Sequence, residues 1–242
     1  MYVCRSGKGV IQNEHYNYNK IIFFTGAGMS AESGVPTYRG RCGIWNQYKW
    51  ENYACQAAFE RDPEGVLAFH ELRRIEALKC QPHSGHTIIT NVQKENSNTI
   101  VITQNIDGMH QRARSKNVIE LHGSLWRMRC ESEMLLKEDL EEGKYRTRKC
   151  NCGNWLRPDI IWFQDMLNEK TVSVATQAIA SCDLFISIGT SAVVWPAAGY
   201  PKLAKDSGAF CVEINPEDTE ISELYDQIVR MSASAGLEYL FK

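Results

Sequence analysis

At 242 residues the chain can bury a full core as one large domain or as a main domain with a smaller partner, which excludes a stand-alone zinc finger or a disulfide knot. Lys and Arg total 27 against 29 for Asp and Glu, a formal charge of -2, so no basic field draws in nucleic acid. No apolar run approaches the roughly 18 residues of a membrane span, and nine cysteines, most of them isolated in apolar segments, suit a reducing compartment. A soluble cytoplasmic chain is expected, without nucleic-acid or membrane partners. Arg5 and Lys8, with no acid before Glu14, match the basic character of an organelle transit segment, so a mitochondrial place is the alternative for a eukaryotic source.

In chain order, the first structured signal is IIFF (21–24) running into TGAG. Gly26, Gly28 and Ala31 then fit G-x-G-x-x-G/A, the pattern that brings backbone N–H groups and a helix N-terminus against a pyrophosphate. A tight strand-to-helix turn would satisfy the same pattern. The dehydrogenase use of it needs an acid about twenty positions on, at the end of a second strand. Here the chain continues instead into the aromatic, proline-broken VPTYRGRCGIWNQYKW, so hydride transfer is disfavoured.

GVLAFHELRRIEALK (65–79) follows with helical apolar spacing, and PHSGH (82–86) reads as the start of another helix rather than a metal site. Next come TIVI into TQNIDGMH and NVIEL into HGS, then one cysteine in CESE and two in CNC, the helical KTVSVATQAIASC (170–182), LFISI into GTS, and FCVEI into NPED. Strands alternating with helices predict an α/β fold with an open, mainly parallel, Rossmann-like sheet. Ligands bind outside the carboxyl ends of such strands, where every polar cluster falls.

Taken together, GAGMSAESGVPTYRG, TQNIDGMH, HGS and GTS, in this order and spacing, resemble the sirtuins, the NAD-dependent protein deacylases, over roughly residues 20–235. Tyr38 and Met109 stand where the family usually has Phe and Leu. The resemblance implies an NAD-binding Rossmann-like domain from 15–36, 87–127 and 168–242. It also implies a smaller domain made of a helical module (37–86) and a zinc-ribbon-like module (128–167). Gly26, Ala27 and Gly28 would hold the diphosphate, with Ser30 and Arg39 on its ribose side. Gly189, Thr190, Ser191, Asn215 and Glu217 would take the adenosine half. Gln104 and Asn105 would lie along the nicotinamide ribose within the catalytic set, Ile106 and Asp107 at the carboxamide. His122 would be the general base, an imidazole suited to taking a hydroxyl proton near neutrality. For a histidine alone, satisfaction in the core is the ordinary reading.

The resemblance extends to the substrate, an acyl-lysine protein or peptide. In the subclass that removes succinyl, malonyl and glutaryl groups, a Tyr, an Arg three residues on and an upstream Ala line the acyl pocket; here these are His70, Arg73 and Ala54. Positions i and i+3 share a helix face, so His70 and Arg73 can converge on one carboxylate. With His in place of Tyr, activity on acidic acyl groups is expected to strengthen as pH falls toward about 6.5. Arg74 is expected on the solvated face of that helix. Trp162 and Phe163 in IIWFQDM, and Val194 in SAVVWP, would flank a substrate backbone added as a strand. Gln164 stands where the family has glycine, and Asp165 where it has glutamate. A zinc site would use Cys130, Cys150 and Cys152, with Glu133 as candidate fourth ligand where the family has a cysteine. The alternatives are an NAD hydrolase or ADP-ribosyltransferase on the same scaffold, and a non-catalytic NAD-binding module.

Overall fold

The computed structural model describes residues 3–4, 17–37, 43–138, 142–191 and 194–242; Arg5, Lys8, Glu14, Tyr38 and Arg39 lie outside them. The described chain opens with β1 (Val3–Cys4), β2 (Ile21–Thr25) and α1 (Ala27–Ala31), then α2 (Trp50–Tyr53), α3 (Gln56–Arg61), α4 (Pro63–Lys79) and α5 (Ser84–Glu95). It continues through β3 (Ile100–Thr103), α6 (Met109–Arg112), β4 (Val118–Glu120), β5 (Gly123–Cys130), β6 (Leu135–Glu138) and β7 (Arg157–Ile160). Last come α7 (Glu169–Ala180), β8 (Leu184–Ile188), α8 (Tyr200–Asp206), β9 (Phe210–Ile214), β10 (Gln227–Val229) and α9 (Ala233–Phe241).

The expected open α/β sheet is present. Seven strands lie in the order β1-β10-β9-β8-β2-β3-β4, all parallel except the β1–β10 pair. β2, β8 and β9 are buried at every position and mostly apolar, with Thr25, Ser187 and Glu213 the exceptions, because helices cover both faces. Alternation sorts their side chains: Ile21, Phe23, Ile186 and Val212 face one core, Ile22, Phe24, Phe185 and Cys211 the other. A second, antiparallel sheet, β6-β5-β7, packs with α3 and α4 over a third core that includes Leu67, Trp126, Leu156 and Trp162.

Local signals set the helix starts. The Asp62 carboxylate accepts from Gly65 N at 2.9 Å ahead of Pro63, capping α4; Asn168 caps α7 through Thr171 N at 3.1 Å. PHSGH does begin a helix, with His83 Nδ1 accepting from Gly85 N at 3.0 Å.

Arg74 overturns its sequence reading. It is 0% exposed, donates to Glu142 O at 2.9 Å and Leu125 O at 3.2 Å, and lies 4.4 Å from the Tyr145 ring and 4.9 Å from the Trp126 ring. The insertion after β6 folds back over this side of α4 and removes it from solvent. Glu71 is buried with it, accepting from Tyr145 N and pairing with Arg148 at 2.8 Å.

Candidate active site

From β2 the chain fills one half of the sheet with β3 and β4, and β8, β9 and β10 later fill the other, so the loops after β2 and β8 diverge at the centre. Their backbones touch: Gly28 N–H donates to Gly189 O at 2.8 Å and Gly26 N–H to Ile188 O at 3.0 Å. A Cβ on Gly28 would stand 2.6 Å from Gly189 Cα, and Gly189 itself has a φ of 58°. These glycines therefore let two loops pack against each other, and the Gly28 amide is committed inside the fold. Above them opens a cleft of about 1290 Å³.

The loop after β3 forms one wall. Asn105 Nδ2 donates to Gly26 O at 2.9 Å and Ser30 Oγ at 3.2 Å, and Gln104 Nε2 to Thr190 Oγ1 at 3.0 Å. Buried Thr25, Thr103 and His110, none of them singled out in the sequence, brace this loop through bonds of 2.8 and 3.0 Å centred on Thr25 Oγ1. His122 Nδ1 meets Gln104 O at 3.0 Å, so Nδ1 carries the proton and Nε2 keeps its lone pair. Burial lowers the His122 pKa, partly offset by that hydrogen bond. The ring is a neutral base at the cleft wall.

Gln104, Asn105 and Ile106 line the cleft, whereas Ser30 and Asp107 do not. Ser30 stands behind Asn105. Asp107 borders a small void behind Ile106, its carboxyl pKa raised by burial and its Oδ1 accepting from Met109 N at 2.9 Å. Trp126 Nε1 donates to Asp107 O at 2.8 Å, a support that a lone tryptophan in the sequence does not announce.

At the other end Asn215 Nδ2 donates to Thr190 O at 3.1 Å, and Glu217 N to Asn215 Oδ1 at 3.3 Å. Buried Glu213 takes Arg230 at 2.7 Å with Thr219 and Ser222, tying this loop to the end of β10. Thr190, Ser191, Asn215 and Glu217 all line the cleft, as do Ala27 and Gly189.

The third wall is aromatic and lies toward α4. Ala54, His70 and Arg73 line the same cleft as Trp162, Phe163 and Val194, joined by Trp45 and Phe69, which only the tertiary packing brings there. Phe163 N donates to Ala54 O, and Ile161 N to His122 O, both at 2.9 Å, so this segment runs beside His122. The Arg157 guanidinium lies 3.7 Å from the Trp162 ring and binds Asp165 at 2.6 Å.

His70 corrects the expected pH dependence. Trp162 Nε1 donates to its Nε2 at 3.2 Å, and the two rings stack at 5.9 Å. Burial, reinforced by the charges of Arg73 and Arg157, drives the pKa down to about 3. His70 is therefore neutral throughout the physiological range and adds no charge near pH 6.5.

Cys130, Cys150 and Cys152 come together with their sulfurs within 4.8 Å of one another, a donor set that fits zinc. The Glu133 carboxylate is not part of this group. Its backbone N–H, with that of Ser132, faces Cys130 Sγ instead, which corrects its expected role as fourth ligand.

Fold and cleft define an open α/β protein with a central cleft at the strand ends and a three-thiol cluster to one side. The chain belongs to the Sir2 family, which it matches over residues 26–196. It is 42% identical over 228 residues to a protein of Aquifex aeolicus (strain VF5) named NAD-dependent protein deacylase, covering 91% of this chain and 93% of that one. Among solved structures, a Sir2 homologue mutant bound to ADP-ribose superposes with a TM-score of 0.87 at 37% identity, covering 93% of this chain and 91% of the other. A Sir2 homologue in complex with NAD gives 0.85 at 38% identity, covering 93% and 88%.

Proposed function

We propose that the chain is an NAD-dependent protein-lysine deacylase that prefers acyl groups ending in a carboxylate, succinyl, malonyl or glutaryl, and also accepts acetyl. The observation that carries this reading is His122, whose Nδ1 is held by Gln104 O, leaving Nε2 as the base, and which lines one cleft with Asn105 and Thr190 as well as with Arg73 and Phe163. The fit to NAD rests on size and donors: about 1290 Å³ exceeds the roughly 300–1,000 Å³ of ordinary small-molecule sites, leaving room for a dinucleotide and a peptide segment. Bound NAD would supply the ribose that receives the acyl group and the nicotinamide that leaves.

The chain's own groups then divide the work. Asn215, Glu217 and Thr190 hold the adenosine end, while Gln104 and Asn105, fixed to Thr190 and Gly26, orient the ribose near His122. His122 Nε2 takes the ribose hydroxyl proton. Trp162 and Phe163 on one side and Val194 on the other bracket an extended peptide. Arg73 supplies the charge for an acyl carboxylate, and neutral His70 acts as a wall held by Trp162.

The test compares nicotinamide release from NAD with no peptide, with an acetyl-lysine peptide, and with its succinyl-lysine counterpart. Succinyl-lysine should give the fastest release, and Arg73→Met should lower the succinyl-to-acetyl ratio at least tenfold, as loss of a charge-assisted hydrogen bond of about 1.5–3 kcal/mol requires. An unchanged ratio removes the acidic preference. Release indifferent to peptide moves the reading to an NAD hydrolase.

A further inference from the structure

The cysteine cluster is built from two turns. Cys130 ends β5 at its hairpin with β6, where it pairs with Leu135. A smaller hairpin, bridged at Lys149 and Trp155, carries Cys150 and Cys152 on a turn closed by Gly153 N to Cys150 O at 2.9 Å and Cys150 N to Asn154 O at 2.8 Å. The turns place Cys130 Sγ 3.6 Å from Cys152 Sγ. Cys130 is buried and Cys152 exposed, so one side of the cluster meets solvent.

Among the described residues no fourth His, Cys, Asp or Glu donor joins the three sulfurs. A closed structural zinc site has four protein ligands, and one protein ligand fewer is the mark of a centre that keeps a coordination position for an outside molecule. Zinc imposes no geometric preference through its d electrons, so a small donor from solution completes its tetrahedron readily. We propose that Cys130, Cys150 and Cys152 hold zinc as a three-thiolate centre whose fourth position is open to an exchangeable small donor, water in its absence and a small thiol when one is present. This inference does not depend on the deacylase reading.

The test is zinc X-ray absorption on the purified full chain, never stripped of metal, in thiol-free buffer and then with 2-mercaptoethanol. Three sulfur scatterers and one light atom are expected first, and a fourth sulfur after the thiol is added. Glu133→Gln should leave both spectra unchanged, and Cys152→Ser should lower zinc content measured by atomic absorption. A sulfur count that does not respond to the thiol, a light-atom shell that changes in Glu133→Gln, or purified protein without zinc would each overturn the proposal. The second of these would show that the Glu133 side chain closes the site.

Discussion

The His122 ring is hydrogen-bonded through Nδ1 to the Gln104 carbonyl, and its lowered pKa places the acid limb of activity below the ordinary histidine value of about 6.5. His122→Ala should cut formation of the acylated ADP-ribose product by about 10²–10⁴-fold, with NAD binding retained by calorimetry. Gln164 shows a different residue-level constraint. It adopts a φ of 73° in the loop beside Trp162, a left-handed conformation costing an L-residue roughly 1–2 kcal/mol. Glycine would relieve that cost while losing about 0.5–1 kcal/mol of its own in chain entropy. Gln164→Gly should therefore raise stability by about 0.5–1 kcal/mol in urea unfolding; a loss would show that Gln164 makes a contact outweighing its strain.

α4 is the element that links the cleft to the cysteine-bearing insertion. His70 and Arg73 meet the cleft, while Glu71 and Arg74 are gripped by Glu142, Tyr145 and Arg148. Arg74 also holds Leu125 O, and Leu125 N donates to Ile106 O at 2.9 Å, so one chain of bonds runs from the insertion through α4 and β5 to the loop behind the cleft. Arg74→Met would orphan the buried Leu125 carbonyl at about 1–3 kcal/mol and also remove the part-buried bond to the Glu142 carbonyl. Its expected outcome is a drop in unfolding free energy of about 2–4 kcal/mol, with KM for acyl-peptide rising more than KM for NAD. Equal changes in both KM values would show that α4 is not positioned through Arg74.

Across the whole molecule, three buried histidines contribute to acid stability. His70 and His110 have pKa values pushed down to about 3, and His86 to about 2, by burial in each case. Among the described residues neither His86 ring nitrogen has a hydrogen-bond partner, and the ring packs 4.4 Å from His83 and 5.1 Å from His110. Unfolded, each of the three would titrate near 6.5, so below that pH the unfolded chain binds protons that the folded chain refuses. Their stabilisation is complete above about pH 6.5 and falls with pH by up to about 1.4 kcal/mol per unit for each histidine, continuing toward the folded values. Urea unfolding at pH 7.5, 6.5 and 5.5 should show a steep loss below 6.5, shallower in His86→Gln. A flat profile would mean that these rings are protonated in the folded protein.

Five strands of the main sheet, β2, β3, β4, β8 and β9, their parallel character and the clustering of polar loops at their ends were legible in the sequence because period and punctuation are local properties. IIFF, LFISI and FCVEI admit few environments other than a doubly covered sheet. Gln104, Asn105, His122, Thr190 and Asn215 stood out as members of motifs resembling those of a known family, and each lies within two residues of a strand end. What the sequence could not decide was burial set by distant segments. Arg74 reads as solvated until residues 142–148 fold over it. His70 reads as a titrating group until Trp162, Arg73 and Arg157 surround it, and Glu133 reads as a ligand until the β5–β6 turn directs its backbone rather than its carboxylate at Cys130. Local pattern determines which elements form, because it needs only neighbours in the chain; the charge state and role of a side chain depend on its solvent exposure and partners, which only the tertiary structure assigns.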